Sequence, residues 1–202
     1  TTVFVNMVAG PIDMNNGMFD LRQGHTTRVD ESQPVPSTLV SEAARTLIAF
    51  SGVTILPDIP EYYRKYPALL NFLSAQKMPW KESRTLAGEI GEYIVMMRET
   101  EDAYLVGAAT NESGRTIDLP LSFLEKGKYT VEVIEDGDDA HYLTNRESLK
   151  VTTWQLTNND KLALKLAPGG GACLVIKKTP SMRVGEQAAF PLVSPSWKIG
   201  RE

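Results

Sequence analysis

Seven short strand-like runs follow one another between residues 93 and 177, each closed by a turn signal, and this cadence limits what the chain can fold into. The runs are residues 93–98, 103–109, 115–121, 128–134, 149–156, 161–166 and 172–177. Between them stand Asn111-Glu112-Ser113-Gly114, Glu125-Lys126-Gly127, Asp136-Gly137 and Gly169-Gly170-Gly171. Residues 128–133 (KYTVEV) alternate polar and apolar, the pattern of a strand with one face toward a core. So many short strands with so little chain between them predict an antiparallel β-sandwich over residues 79–178. Gly169-Gly170-Gly171 lacks the Lys-Ser/Thr of a phosphate loop and reads as a tight turn into the last strand.

Residues 1–78 have a different rhythm. Residues 3–9 (VFVNMVA) are short and apolar, as a strand buried on both faces would be. Gly10-Pro11 breaks the run, and a polar stretch extends to Pro36. A helix is predicted from a cap at Ser37 or Thr38, with Val40, Ala43, Ala44, Leu47 and Ile48 on one face and Gly52 as its stop. Residues 53–56 (VTIL) form a second strand-like run, ended by Pro57-Asp58. Pro60 suits the first turn of a further helix, which Pro67 should kink or split. The order βαβα predicts a parallel sheet covered by helices. Two such units cannot close a barrel, because an unpaired strand edge would remain. Further chain upstream, or another copy of this one, is therefore expected beside residues 1–78. Residues 179–202 hold three prolines and little periodicity, and are expected to form an extended tail.

Composition excludes several classes. Of 202 residues, 42% are hydrophobic and the formal net charge is -4. That suffices for a core and argues against nucleic acid or an anionic membrane as the main partner. No run approaches the about 18 apolar residues of a membrane span. The single cysteine, Cys173, sits in an apolar strand and reads as a buried core residue. The chain opens within a predicted strand without a start Met, so an export signal is expected in a missing upstream part.

In a parallel α/β barrel, chemistry gathers on the loops after the strands. Two such loops are present. The first, residues 10–36, is far longer than most such connections and carries Asp13, Asn15 and Asn16; the second carries Asp58. These four residues are the candidate sugar contacts. Asp13 and the Asn15-Asn16-Gly17 run serve equally as turn formers, and Asp58 as a cap for the helix at Pro60. Neither His25 nor His141 has metal-type spacing, and both read as loop histidines. The acidic run at residues 135–139 lacks the ligand pattern of an EF-hand loop and reads as a solvated turn. Trp80 and Trp154 are either core aromatics or, in a carbohydrate-binding module, a stacking platform for sugar rings.

Several of these residues also carry a family likeness. Gly10-Pro11-Ile12-Asp13 with Gly17-Met18-Phe19 resembles the Gly-Pro-Met-Asp loop of glycoside hydrolase family 97, although Met14-Asn15-Asn16 replaces the commoner aromatic-Thr-Pro. Residues 56–63 (LPDIPEYY) resemble its last barrel strand and loop, and residues 80–84 (WKESR) its linker. Residues 88–93, residues 104–108 and the turn at residues 168–171 are similar to parts of its C-terminal β-domain. The likeness covers about residues 3–178. It implies an α/β plus all-β architecture: the C-terminal end of a (β/α)8 TIM barrel over residues 1–78, then an antiparallel β-sandwich. It implies an exo-acting α-galactosidase or α-glucosidase of a bacterium, exported to the periplasm or secreted, acting on α-glycosides or oligosaccharides. The Met-Asn-Asn departure leans toward the α-galactosidase branch. It implies calcium in the full-length protein, with both the calcium ligands and the catalytic carboxylates upstream of residue 3. No catalytic or metal-binding residue is therefore assigned within this chain, which should be inactive alone.

Overall fold

The computed structural model describes residues 4, 8–21, 35–52 and 54–180. Helix α1 spans Leu39–Ile48, α2 Pro60–Arg64 and α3 Pro67–Ala75. Eight strands follow: β1 Glu82–Glu89, β2 Tyr93–Glu99, β3 Tyr104–Thr110, β4 Arg115–Pro120, β5 Lys128–Asp136, β6 Leu149–Thr157, β7 Lys161–Leu166 and β8 Gly171–Lys178. Six form one sheet in the order β1-β2-β3-β8-β5-β6, and β4 and β7 form a second. Every pairing between these strands is antiparallel, so the domain is a lopsided β-sandwich.

The large sheet is covered on both faces. On one, Val95, Met97, Val106, Val131, Val133 and Leu174 meet Ile117 and Leu119 of β4 and Leu164 and Leu166 of β7. On the other, Ile94, Met96, Leu105, Ile134 and Cys173 meet Leu39, Val40, Ala44 and Leu47 of α1. This explains why β2, β3 and β8 are apolar at successive positions while β5 alternates. Helix and sheet share one core across the sequence boundary near residue 78.

Close approach of α1 depends on two glycines beneath it. A Cβ on Gly107 would lie 2.9 Å from the Ala44 carbonyl oxygen, and one on Gly171 would lie 2.7 Å from the Ser41 Cα. Thr38 caps α1 through its Oγ1, which accepts from the Ser41 N–H at 3.2 Å. At the far end, Arg98 donates to the carbonyls of Leu47 and Ile48, both at 3.3 Å. Cation and helix C-terminus attract there. Nine of the ten residues of α1 are buried, so the helix is enclosed on all sides rather than on the one face its apolar spacing predicts. Pro67 does split the downstream helix. The stop at Gly52 is misplaced: α1 ends at Ile48, and Gly52, with φ +74°, turns the chain four residues later.

The two expected parallel strands do not form among the described residues. Phe4 is helical, Val8 lies in a 3-10 turn, and residues 54–56 form neither helix nor strand. A strand exists through its ladder of hydrogen bonds, and no neighbouring strand supplies one here. The barrel end is thus not seen as a parallel sheet. The expected tail, residues 179–202, lies outside the described residues except for Thr179 and Pro180.

Candidate functional site

The loop after Gly10 and the segment at Asp58 do meet, in an arrangement the sequence does not foretell. The Asp58 carboxylate accepts from the N–H groups of Phe19 at 2.9 Å and Asp20 at 2.6 Å. Such charge-assisted bonds to backbone donors are strong. Tyr63 of α2 donates its hydroxyl to the Gly17 carbonyl at 3.1 Å and receives the Asp58 N–H at 3.0 Å. Burial, the larger effect, and the Asp58 charge both raise the Tyr63 pKa, so it stays a donor. Glu42 of α1 accepts from the Gly17 N–H at 3.3 Å. Phe19 is buried, tilted against Tyr63 with ring centroids 4.9 Å apart.

Asp58 therefore fastens residues 17–20. It does not cap α2, whose N-cap is Ile59 without a side-chain bond, so the helix-cap reading of Asp58 is corrected. A cap must accept from the first-turn N–H groups, and here the carboxylate is turned to the loop instead. No hydrogen bond joins Asp58 to Asp13, Asn15 or Asn16. Asp13 and Asn15 are exposed; Asn16 is half-buried, with its amide toward the Met14 sulfur at 3.7 Å.

The remaining candidates fall elsewhere. Trp80 is half-buried against Phe50, at 5.4 Å between ring centroids, with the Arg98 guanidinium 4.6 Å from its ring centre. Trp154 is half exposed on β6, so the core reading fails for it. Its strand lies at the sheet margin, where nothing described covers it. Cys173 is fully buried, and burial pushes its thiol pKa well up, as its apolar neighbours predict. His141 stacks on Tyr142 in a turn, and His25 lies outside the described residues.

The acidic run is not simply solvated. Asp136 is buried and accepts from the N–H groups of Ala167 at 3.0 Å and Gly171 at 2.7 Å. Desolvation raises its pKa to about 6 against those bonds. Asp138 pairs with Lys165 at 2.7 Å, and Asp139 accepts from Ser148 and Asn145. Among the described residues no three His, Cys, Asp or Glu side chains group as a metal site, so no calcium ligand is assigned here.

Two cavities went unread in the sequence because residues distant along the chain line them. One, of about 530 Å³, lies where the helices leave β5 and β6 uncovered; Asn71, Ser74, Thr130, Glu132, Thr153 and Lys177 line it. The second, of about 250 Å³, lies between the ends of α1 and α3. Gln76 donates to Thr46 at 2.8 Å in its wall, and the Trp80 Nε1–H is buried without a partner.

Comparison with known proteins gives a consistent result. Residues 79–177 match the family described as "Glycosyl-hydrolase 97 C-terminal, oligomerisation". The chain is 31% identical over 175 residues to a retaining alpha-galactosidase of Bacteroides thetaiotaomicron, covering 86% of this chain and 26% of that protein. It is 27% identical over 139 residues to a probable retaining alpha-galactosidase of Streptomyces bingchenggensis, covering 69% of this chain and 20% of that one. The chain thus spans about a quarter of the length of the curated relatives it matches. A glycoside hydrolase family 97 enzyme from a Pseudoalteromonas species, solved with acarbose, superposes with a TM-score of 0.79 at 30% identity, over 89% of this chain and 28% of that one. A beta-arabinopyranosidase, at 21% identity and TM-score 0.64, over 83% of this chain and 25% of that one, shares the fold. The sandwich, its order of strands and these likenesses agree: the chain belongs to glycoside hydrolase family 97, as a C-terminal portion of it.

Proposed function

We propose that the full-length protein is an exo-acting α-glycoside hydrolase that removes a terminal α-linked galactose or glucose, and that this chain supports its active site without holding the catalytic carboxylates. The likeness to a retaining alpha-galactosidase across 86% of the chain carries this reading. On the same reading, residues 1–78 are the end of a (β/α)8 barrel. Val8, Ile55, Leu56 and Ile59 support it: they are apolar and exposed at 85%, 63%, 39% and 55%, as side chains awaiting neighbouring barrel strands would be. Asp13 and Asn15, exposed on the first loop, are suited to sugar hydroxyls, whereas Asp58 positions that loop. Calcium, if bound, takes its ligands from upstream. The protein would work in the periplasm or outside a bacterial cell.

Glycoside hydrolysis normally needs two carboxyl groups flanking the scissile bond. The 202-residue chain should therefore turn over neither aryl α-galactosides nor aryl α-glucosides, while the full-length protein hydrolyses at least one of them. Steady turnover by the short chain would overturn the upstream placement. An inert full-length protein would overturn the activity.

The β-sandwich has a second role on this reading: it holds copies of the protein together. The family description, which names oligomerisation, supports this.

A further inference from the structure

The large sheet has two outer edges, built in opposite ways. β1 carries Glu82, Arg84 and Glu89, and its register slips between Thr85 and Ala87. Charges and a bulge are the means by which sheets discourage a further strand from adding. β6 has neither protection. Its nine residues carry one charge, Lys150, and pair with β5 without a break from Lys128↔Thr157 to Asp136↔Leu149. Val151 and Trp154 stand exposed on it. Among the described residues no strand pairs with its outer side.

The direction of its backbone groups follows from one bond. The Lys128 carbonyl accepts from the Thr179 N–H at 2.8 Å, so Lys128 turns its backbone toward β8. In an antiparallel strand successive residues turn opposite ways. Tyr129, Val131, Val133 and Glu135 therefore bond toward β6, to Leu156, Trp154, Thr152 and Lys150. That leaves Val151, Thr153 and Gln155 with N–H and C=O directed outward, and Thr153 is the midpoint of the strand.

We propose that a second copy of this chain adds here, β6 against β6, antiparallel about a two-fold axis through Thr153. The inference rests on the reading of the sandwich as an association module and adds its surface and register. An axis at Thr153 sets outward groups against outward groups over the whole strand; a slip of one residue would set them against inward ones. Thr153 then faces its own mate, Val151 faces Gln155 of the other copy, and Trp154 faces Thr152. The two Lys150 side chains fall at opposite ends of the ribbon, so no like charges meet. Each Trp154 gains a cross-strand neighbour on the face it shares with Val131, and the two large sheets become one.

Because Thr153 opposes itself, charge at that position gives a sharp test. Sedimentation velocity on the 202-residue chain should show an association toward twice the 22.3 kDa of one chain. Thr153→Lys and Thr153→Glu each place like charges on the axis and should weaken association at least about tenfold. The circular dichroism of both should match the parent, as should the melting of Thr153→Lys, whereas Thr153→Glu faces Glu132 of β5 in its own chain and should melt slightly lower. An equimolar mixture of the two should recover the dimer as a mixed species, since Lys now faces Glu. Hydrogen exchange on the unaltered chain supplies a readout free of substitution: the Val151, Thr153 and Gln155 amides should become protected as concentration rises. A parent chain that stays monomeric overturns the association reading and this inference together. A dimer undisturbed by either charge, or one whose three amides exchange equally at all concentrations, overturns the edge and leaves association standing. Dissociation by both variants without recovery in the mixture overturns the register.

Discussion

Arg98 shows how one residue can be misread from its type. An arginine in a strand of apolar neighbours reads as an outward charge, yet it is only 5% exposed. Burial lowers its pKa to about 10, which still leaves it charged at neutral pH. What holds the charge is the end of α1: two carbonyls at 3.3 Å and the Trp80 ring at 4.6 Å. Replacing it leaves both carbonyls without that donor and the ring without its cation. Arg98→Ala should cost about 3 kcal/mol, read as a lower urea midpoint at unchanged slope. Arg98→Lys should recover part of this, because one ammonium cannot reproduce the planar fork. Asp58 makes the same point in reverse. Its position before Pro60 resembles a helix cap, and only its bonds to Phe19 and Asp20 reveal that it fastens a loop 38 and 39 residues away.

At the scale of elements, the decisive contact is α1 on β3 and β8. Nearly all of α1 is buried, and it approaches so closely that Gly107 and Gly171 leave no space for side chains. Valine is a better strand former than glycine, so propensity alone favours Gly107→Val. Packing opposes it: the new Cβ would lie 2.9 Å from the Ala44 carbonyl oxygen and 3.3 Å from Ile48. Overpacking of that kind should dominate, with a loss of about 2–3 kcal/mol in thermal or urea unfolding. The strands themselves were legible in the sequence to within about two residues from Tyr93 to Lys178, because alternation and turn residues are local signals. β1 was not legible. Glu82–Glu89 lies at an edge with every residue exposed or only half-buried, so no burial forces its side chains to alternate in polarity. The single Pro67 gave a clear local signal, and the split between α2 and α3 follows it.

For the whole molecule, Asp136 joins β5 to both ends of the turn from β7 to β8, beside the helix that roofs the sheet. In the folded chain it keeps its proton up to about pH 6; in the unfolded chain it releases it near 3.8. The folded state therefore binds the extra proton between those values. Its stabilising contribution is complete below the unfolded value and is lost as pH rises through about 6. The shift corresponds to roughly 3 kcal/mol. Glu125, Asp138, Asp139 and Asp160, held below their ordinary range by Lys178, Lys165, Ser148 and Thr157 respectively, act oppositely but at lower pH. Melting temperature should accordingly rise as pH falls from 7.5 toward 5, and Asp136→Asn should flatten that slope. An equal slope in both proteins would show that Asp136 does not govern it.

Sequence alone determined which segments from Tyr93 to Lys178 are strands, where Pro67 divides the helices, and that Cys173 belongs to a core. Those features follow from neighbours within a few residues, where sterics, turn chemistry and alternation act. Tertiary structure alone decided that β4 and β7 leave the main sheet to form the opposite layer, that α1 shares the core of the sandwich, and that residues 54–56 are unpaired. It also decided that Asp58 secures a loop and that Asp136 is buried. Each of these depends on contacts between residues far apart in the chain, and a carboxylate or an apolar run has the same local sequence signature whether or not its distant partner is present.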